Sequence, residues 1–360
     1  MNTNEMLRRF SEWREAGRRL VLASVYETAG STYSKAGMQM LITGDGDFQG
    51  LLSGGCLEGD LAERAARVSA SGEPDTISYD LGGADDELFG LGVGCDGTMR
   101  IFLQPLPRPD YQPFAAVAEC LQGDEPGVLA TVIESGATVA EPGQFVLLDR
   151  RGVRHSTLSG SVSGAVEEAA LPHLESGSSA MGTVSLRDGD VSVLFAAILP
   201  PPRLLVLGAG LDAVPLVDLA ARLGWRVAVR DHRPAYFDKG DFGRAEQCIT
   251  GPAEELDGDE LPRYAAVMVM SHHLATDRTY LRALAQSDVP YVGLLGPRRR
   301  REQLLADLGE AGERLASRLY GPAGLDIGAR GAESIALSIV AEIHAVLAGT
   351  DAPGRPLGAP

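Results

Sequence analysis

Two cysteines of this chain lie in glycine-rich segments whose residue types suit thiol chemistry. Cys56 occurs in Ser53-Gly54-Gly55-Cys56-Leu57-Glu58-Gly59-Asp60, which joins a predicted strand to a predicted helix. At a helix start the free backbone amides and the helix dipole favour a thiolate. Glu58 either opposes part of that effect or serves as an acid–base partner. Gly54 and Gly55 are candidate ligand contacts, because glycine admits close approach to the backbone.

The second candidate thiol is Cys95, in Gly90-Leu91-Gly92-Val93-Gly94-Cys95-Asp96-Gly97. Its alternate glycines permit close approach of a ligand or of a neighbouring strand. Inert packing is the common role of a buried cysteine, and it is the expected role of Cys120 and Cys248. The four cysteines lie far apart with no CxxC pair, so neither a zinc site nor a disulfide framework is expected.

A glycine turn in the second half of the chain has the features of a phosphate cradle. The apolar run Leu204–Leu207 leads into Gly208-Ala209-Gly210, and a helix-like segment follows. Gly208 and Gly210 let a pyrophosphate approach the backbone at a helix start. Asp231 ends the next strand, at the spacing of an acid that binds a ribose hydroxyl. The alternative is that the turn only packs the helix against the sheet.

Further polar residues follow predicted strands of the same domain. His272 and His273 follow the strand Ala265–Met270, and Gly296 precedes Arg298–Arg301 after the strand Pro290–Leu295. Ligands of parallel sheets bind outside the carboxyl ends of the strands, so these residues and Asp231 are expected to line one crevice.

Each of these residues also has a structural interpretation. The histidines either contact a ligand and move protons or hydrogen-bond a turn. Arg298 and Arg299 either hold a phosphate or begin a solvated helix. Thr276 is the expected N-cap of the helix that follows the histidines.

The hydrophobic patterning indicates an α/β protein with a mixed α+β N-terminal region and a Rossmann-like, doubly wound parallel sheet at the C-terminus. The three prolines of Leu199–Arg203 interrupt any helix or strand and mark the main boundary. The predicted division has four parts: an N-terminal domain over 1–105, a second α+β part over 106–198, the Rossmann-like domain over 199–348 and a disordered tail over 349–360. No internal repeat of solenoid length is visible.

Composition narrows the possible partners. With 32 basic and 49 acidic residues the formal net charge is −17, so nucleic acid is an unexpected partner. No apolar run approaches the roughly 20 residues of a membrane span, and no signal peptide is recognisable. We therefore expect a reducing, cytoplasmic setting.

Several of these segments together resemble the XdhC/CoxI family, the accessory proteins of molybdenum hydroxylases such as xanthine dehydrogenase and carbon monoxide dehydrogenase. The matching segments run in family order from about residue 20 to 348. They are Glu27–Thr32, Ser53–Asp60, Gly92–Gly97, Val206–Gly210, Tyr291–Arg299 and Gly324–Gly328.

The resemblance implies an N-terminal XdhC/CoxI domain followed by a Rossmann domain. It further implies a chaperone that binds the molybdenum cofactor, as molybdopterin or its cytosine dinucleotide form. Such a chaperone supports sulfuration of the cofactor by a cysteine desulfurase-type donor and inserts it into a hydroxylase apoenzyme. A homodimer is also implied. Cys56 and Cys95 match the family's cysteine positions.

The chain departs from the family pattern at three points. Leu211-Asp212 follows the glycine turn where the family commonly has a histidine, and an inward-pointing Asp212 would repel a phosphate. Gln39 replaces a basic residue, and Ser271-His272-His273-Leu274 replaces a Thr-His-Asn/Asp-His strand end.

Two other functions remain open at this stage. An NAD(P)-dependent oxidoreductase would use Asp231 for the ribose and a histidine for the proton. A thiol-based sulfur carrier or redox protein would use a reactive thiol at Cys56.

Overall fold

The computed structural model describes residues 3–81, 97–256 and 258–350. The chain forms two compact units, residues 1–200 and 201–360. Unit 1 is mixed α/β with antiparallel sheets, and unit 2 is a parallel Rossmann-type domain, as the sequence predicts.

The first half of unit 1 is one antiparallel sheet with two helices. Its elements are α1 (Thr3–Glu15), β1 (Leu20–Gly30), β2 (Gln39–Thr43), β3 (Phe48–Gln49), α2 (Glu58–Ser71), β4 (Asp75–Asp80) and β5 (Gly97–Leu106). The strand order is β3-β2-β1-β5-β4. Leu61, Ala65 and Val68 of α2 pack on one face of this sheet, because their spacing places them on one side of the helix.

The second half of unit 1 repeats this arrangement. Its elements are α3 (Phe114–Gln122), β6 (Gly127–Ser135), β7 (Phe145–Asp149), β8 (Gly152–Ser156), α4 (Gly160–Ser176), β9 (Ala180–Leu186) and β10 (Gly189–Ile198). The order β8-β7-β6-β10-β9 is that of the first sheet, with a helix again after the third strand. The topology therefore repeats although the sequence shows no repeat.

Three elements of this half, β8, α4 and β9, were missed by sequence patterning. Gly160, Gly164 and Pro172 lie within α4 and read as helix breakers. The helix forms nevertheless, because every fourth residue from Val162 to Leu174 is buried against the second sheet. Tertiary packing outweighs the local propensity here.

The two halves share one hydrophobic core. Met6 and Phe10 of α1, Phe102 of β5, Phe114 of α3 and Phe145 of β7 belong to it. The segment 106–113 contributes Leu106 and Tyr111 to this core. Tyr111 within it is 2% exposed and donates its hydroxyl to the carbonyl oxygen of Arg18 at 3.0 Å.

Unit 2 has a six-stranded parallel sheet of order β13-β12-β11-β14-β15-β16. Its strands are β11 (Arg203–Leu207), β12 (Arg226–Asp231), β13 (Gln247–Thr250), β14 (Ala266–Val269), β15 (Tyr291–Leu294) and β16 (Leu319–Tyr320). Its helices are α5 (Ala213–Arg222), α6 (Leu274–Leu284), α7 (Arg298–Leu308), α8 (Glu310–Leu315) and α9 (Ala332–Leu347).

The alternating side chains of β11 supply a core on each face of this sheet. Leu204 and Val206 pack with α5 and α9, whereas Leu205 and Leu207 pack with α6 and α7. Such two-sided burial is why the strand reads as a continuous apolar run. The short strands β13 and β16 were not recognised in the sequence.

The second half of unit 1 braces the turn between β1 and β2. Gly37 in this turn has φ +88°, and a Cβ there would lie 2.4 Å from the Cβ of Ser179. The hydroxyl of Ser179 is held by the backbone amide of Ala197 at 2.9 Å, so it does not swing away freely.

We expect Gly37→Ala to lower the free energy of unfolding by about 3 kcal/mol, since strain and overpacking add. Gly72→Ala is the control, because Gly72 has φ +77° but open space around its missing Cβ. It should lose only about 1 kcal/mol. Urea unfolding measures both, and equal losses would contradict the brace.

Candidate functional site

The thiol turn of unit 1, residues 53–58, lies at one end of the first sheet. The end of β1, the start of β2 and the end of β3 meet at this end, because the strands are antiparallel. Gly97, the first residue of β5, pairs with Gly30 there. The turns around Ser31–Lys35 and Ser53–Glu58 are therefore neighbours, and the ring of Tyr33 lies 3.4 Å from the position of a Cβ on Gly54.

The carboxylate of Glu58 organises the thiol turn. One oxygen accepts the amides of Leu52 and Ser53, both at 2.9 Å, and the other accepts the Ser53 hydroxyl at 2.5 Å and the Gly55 amide at 3.0 Å. The Ser53 hydroxyl in turn accepts the amide of Leu57 at 2.8 Å. Gly54 and Gly55 have φ of +80° and +117°, which explains the two glycines.

This bonding explains Glu58 without the acid–base role that the sequence also allows. The residue is 2% exposed, and its carboxylate already accepts four hydrogen bonds. Burial alone would raise the pKa of Glu58, but the bonds from Ser53 and the backbone amides outweigh it and hold the pKa below its usual value. Glu58 is thus an ionised structural brace.

Cys56 lies within this braced turn. It is partly buried, packs against the core beneath α2 and forms no disulfide. Helix α2 begins at Glu58, so Cys56 precedes its first turn. Cys95 lies outside the described residues, two positions before Gly97 in the sequence.

Sequence reasoning missed Tyr33 and Ser53. Tyr33 is 62% exposed although it is a large aromatic side chain, and it lies directly over the thiol turn. Its place in the polar segment Ser31–Lys35 was the available signal. An exposed aromatic ring beside a glycine turn is suited to stacking on a planar ligand.

The second group of candidate residues lines the carboxyl edge of the parallel sheet in unit 2. Gly208 has φ +131°, and a Cβ there would lie 2.4 Å from the carbonyl oxygen of Met270 at the end of β14. Glycine is therefore required at this position by the approach of two strands. The predicted role of Gly208 in a phosphate cradle is not needed to explain it.

The carboxylate of Asp231 is buried and hydrogen-bonded within unit 2. Its carboxylate accepts the amide of Ala209 at 2.8 Å and the Arg233 side chain at 2.9 Å on each oxygen, together with the Arg233 amide. It is 1% exposed; burial would raise the pKa of Asp231, but these bonds hold it below its usual value. A ribose hydroxyl, the ligand expected for this acid, would have to compete with these bonds.

The two histidines have different surroundings. His273 is the N-cap of α6, since its Nδ1 accepts the amide of Thr276 at 3.4 Å; the expected cap, Thr276, is already in the helix. His272 has φ +60°, and its Nε2 lies 2.8 Å from Oδ2 of Asp212. The side chain of His272 is 58% exposed, so of the two it is the better placed to meet a ligand.

The arginine cluster divides into exposed and structural members. Arg300 binds Asp277 at 2.6 Å, and a Cβ on Gly296 would lie 2.7 Å from the Cδ of Arg300, so this glycine makes room for the arginine. Arg301 donates to backbone carbonyls. Arg298 pairs with the exposed Glu302, and Arg299 is exposed, which leaves these two as anion-binding candidates.

Among the described residues no cluster of histidine, cysteine and carboxylate side chains suits a metal ion. None of the helices in that part of the chain is long and apolar enough to cross a membrane.

Comparison with known proteins matches both units to family models. Residues 13–80 match the model described as the XdhC and CoxI family, and residues 204–343 match the XdhC Rossmann domain.

Similar proteins align along most of the chain. A Bacillus subtilis protein, named as a probable subunit of xanthine dehydrogenase, is 34% identical over 90% of this chain and 92% of its own length. The Escherichia coli molybdenum cofactor insertion chaperone PaoD is 26% identical, over 92% of this chain and 84% of its own. A crystal structure described as a xanthine dehydrogenase from Bacillus halodurans has a TM-score of 0.79 at 28% identity, covering 99% of this chain and 98% of that one.

Glu58→Gln should lower the free energy of unfolding by about 2 kcal/mol at neutral pH, because an amide nitrogen would face backbone donors. It should also increase alkylation of Cys56 by loosening the turn. Glu63→Gln on the exposed side of α2 removes the same charge and should change neither.

The contribution of Glu58 to the free energy of unfolding also depends on pH in a defined way. Because its folded pKa is depressed, the contribution is complete above the unfolded pKa of about 4.3 and is lost as pH falls through the folded pKa. Acid titration of stability should therefore be shallower in Glu58→Gln than in the native chain. Identical acid profiles would show that folding does not lower the pKa of Glu58.

Proposed function

Because this chain belongs to the XdhC and CoxI family, we propose that it is an accessory protein that binds the molybdenum cofactor as its cargo and delivers it to a molybdenum hydroxylase apoenzyme. The names of two relatives support this proposal, one a probable component of xanthine dehydrogenase and the other a cofactor insertion chaperone. The recipient would be an enzyme of the xanthine dehydrogenase or carbon monoxide dehydrogenase type.

The observation that carries the proposal is the thiol of Cys56 on a turn fixed by a buried carboxylate. Thiolates are preferred ligands of soft metal–sulfur centres. The bonds of Glu58 preset the backbone around the thiol, so little ordering is needed when cargo binds. Cys56, with Cys95, would contact the molybdenum–sulfur end, and Tyr33 would stack on the planar pterin ring.

Unit 2 has its own candidate group for binding a phosphate. The side chain of Arg298 is 65% exposed, and its neighbour Arg299 is also exposed, both at the start of α7. Guanidinium groups bind phosphate oxygens in a bidentate manner, and a helix start adds favourable backbone dipoles. This holds for molybdopterin and for its cytosine dinucleotide form alike.

The further partners follow from the same role. The sulfur of the mature cofactor would come from a cysteine desulfurase-type donor while the cargo is bound. Three free thiols in the described part of the chain accord with a reducing, cytoplasmic setting. The proposed assembly is a homodimer.

The alternative function is an NAD(P)-dependent oxidoreductase that uses unit 2. Its support is the Rossmann strand order and the position of Asp231 at the end of β12. Against it, the Asp231 carboxylate already accepts bonds from Ala209 and Arg233, so a ribose hydroxyl would have to displace one of them. This observation favours the accessory role.

Cys56→Ser should abolish retention of the cofactor or reduce it by about tenfold or more, because a hydroxyl is a poor ligand for a soft metal. The measurement is mass spectrometry of ligands released from protein purified from the native host, together with the activity of the hydroxylase. Cys248→Ser is the control, since Cys248 lies exposed on β13. Full cofactor retention and normal hydroxylase maturation with Cys56→Ser would exclude this thiol from the function.

Replacing both Arg298 and Arg299 by alanine should weaken binding of purified molybdopterin by about tenfold and reduce its salt dependence, because charge-assisted bonds to phosphate are lost. Arg314→Ala, an exposed change on α8, should have no effect. Fluorescence titration at two salt concentrations measures this. Unchanged affinity and salt dependence would place the phosphate elsewhere.

A further inference from the structure

The second glycine of the turn after β11 faces a carboxylate. In dinucleotide-binding domains this glycine lacks a side chain so that a pyrophosphate can approach the backbone. Here a Cβ on Gly210 would lie 2.4 Å from Oδ1 of Asp212. The space that this glycine leaves free is therefore taken by the side chain of Asp212, which stands immediately before the first residue of α5.

Asp212 is held in this position by its partner. Its Oδ2 lies 2.8 Å from Nε2 of His272, and the imidazole also borders the Gly210 space, with Cδ2 at 3.7 Å from the same Cβ position. His272 adopts φ +60°, a backbone conformation that is costly for a residue other than glycine. Such strain is maintained only where surrounding contacts favour it, and the bond to Asp212 is one such contact.

The other acid at the turn is already paired, so the charge of Asp212 is considered by itself. Asp231, the other carboxylate at the turn, is itself ionised and neutralised by Arg233. The side chain of Asp212 is 32% exposed, so its charge is only partly screened by solvent. A diphosphate placed against Gly210 would meet the carboxylate directly.

We propose that Asp212 is a specificity-determining residue that excludes diphosphate-bearing ligands from the glycine turn. The turn instead accepts a ligand group that is neutral or that donates hydrogen bonds, such as an amino or amide N–H, which a carboxylate binds well. The inference does not depend on the proposed cargo. It explains how a Rossmann-type domain can carry the dinucleotide turn without selecting dinucleotides.

The test is calorimetric titration with ADP and with NADH. Asp212→Asn keeps the size of the side chain and its bond to His272 but removes the charge. We expect the native protein to bind either probe weakly and Asp212→Asn to bind both at least about tenfold more tightly. Asp218→Asn, within helix α5 and paired with Arg244, is the matched control and should behave as the native chain.

A second variant separates the charge from the pairing. His272→Asn leaves the Asp212 carboxylate in place, so it should produce no gain in affinity for ADP. The inference is overturned if the native protein binds the probes as tightly as Asp212→Asn, or if Asp218→Asn gives the same gain. Thermal unfolding verifies that each variant is folded. Retention of cofactor by the native chain is measured independently, so failure of the proposed function would leave this result intact.

Discussion

The hydrogen bond from a backbone amide to a buried carboxylate recurs at the glycine turns of this protein. Glu58 holds Gly55 in unit 1, and in unit 2 Asp231 holds Ala209 while Glu342 holds Gly324. A buried charge is tolerated only when it is bonded on most sides, and the first two carboxylates are. The turns are thus fixed by hydrogen bonds to buried carboxylates.

Glu342 shows the limit of this principle. It accepts the Tyr291 hydroxyl at 2.6 Å and the Gly324 amide at 2.9 Å on one oxygen, while its other oxygen is buried without a partner. Burial dominates here and raises the pKa of Glu342. The pKa of the same residue type is therefore lowered under the thiol turn and raised where fewer donors surround it.

The two halves of unit 1 have the same topology but different roles. Both halves have the same strand order, but the thiol turn belongs to the first half, and the equivalent connection between β8 and α4 carries no cysteine. The second half contributes support, through the shared core and through Ser179 against Gly37. One copy of the arrangement holds the candidate chemistry while the other stabilises it.

The class of both units, the apolar strands of the parallel sheet, the glycine turns and the family could all be predicted from the residues alone, because these depend on local periodicity and on contiguous motifs. Helix α4 could not, since its glycines and proline are outweighed by burial against a distant sheet. Nor could the roles of Glu58, Asp231 and Asp212. Each of these acids lies beside a glycine turn in a way that fits ligand chemistry, and only tertiary contacts established that two bind backbone amides and the third pairs with His272. A carboxylate acts through the donors that surround it, and those donors are brought together by the fold.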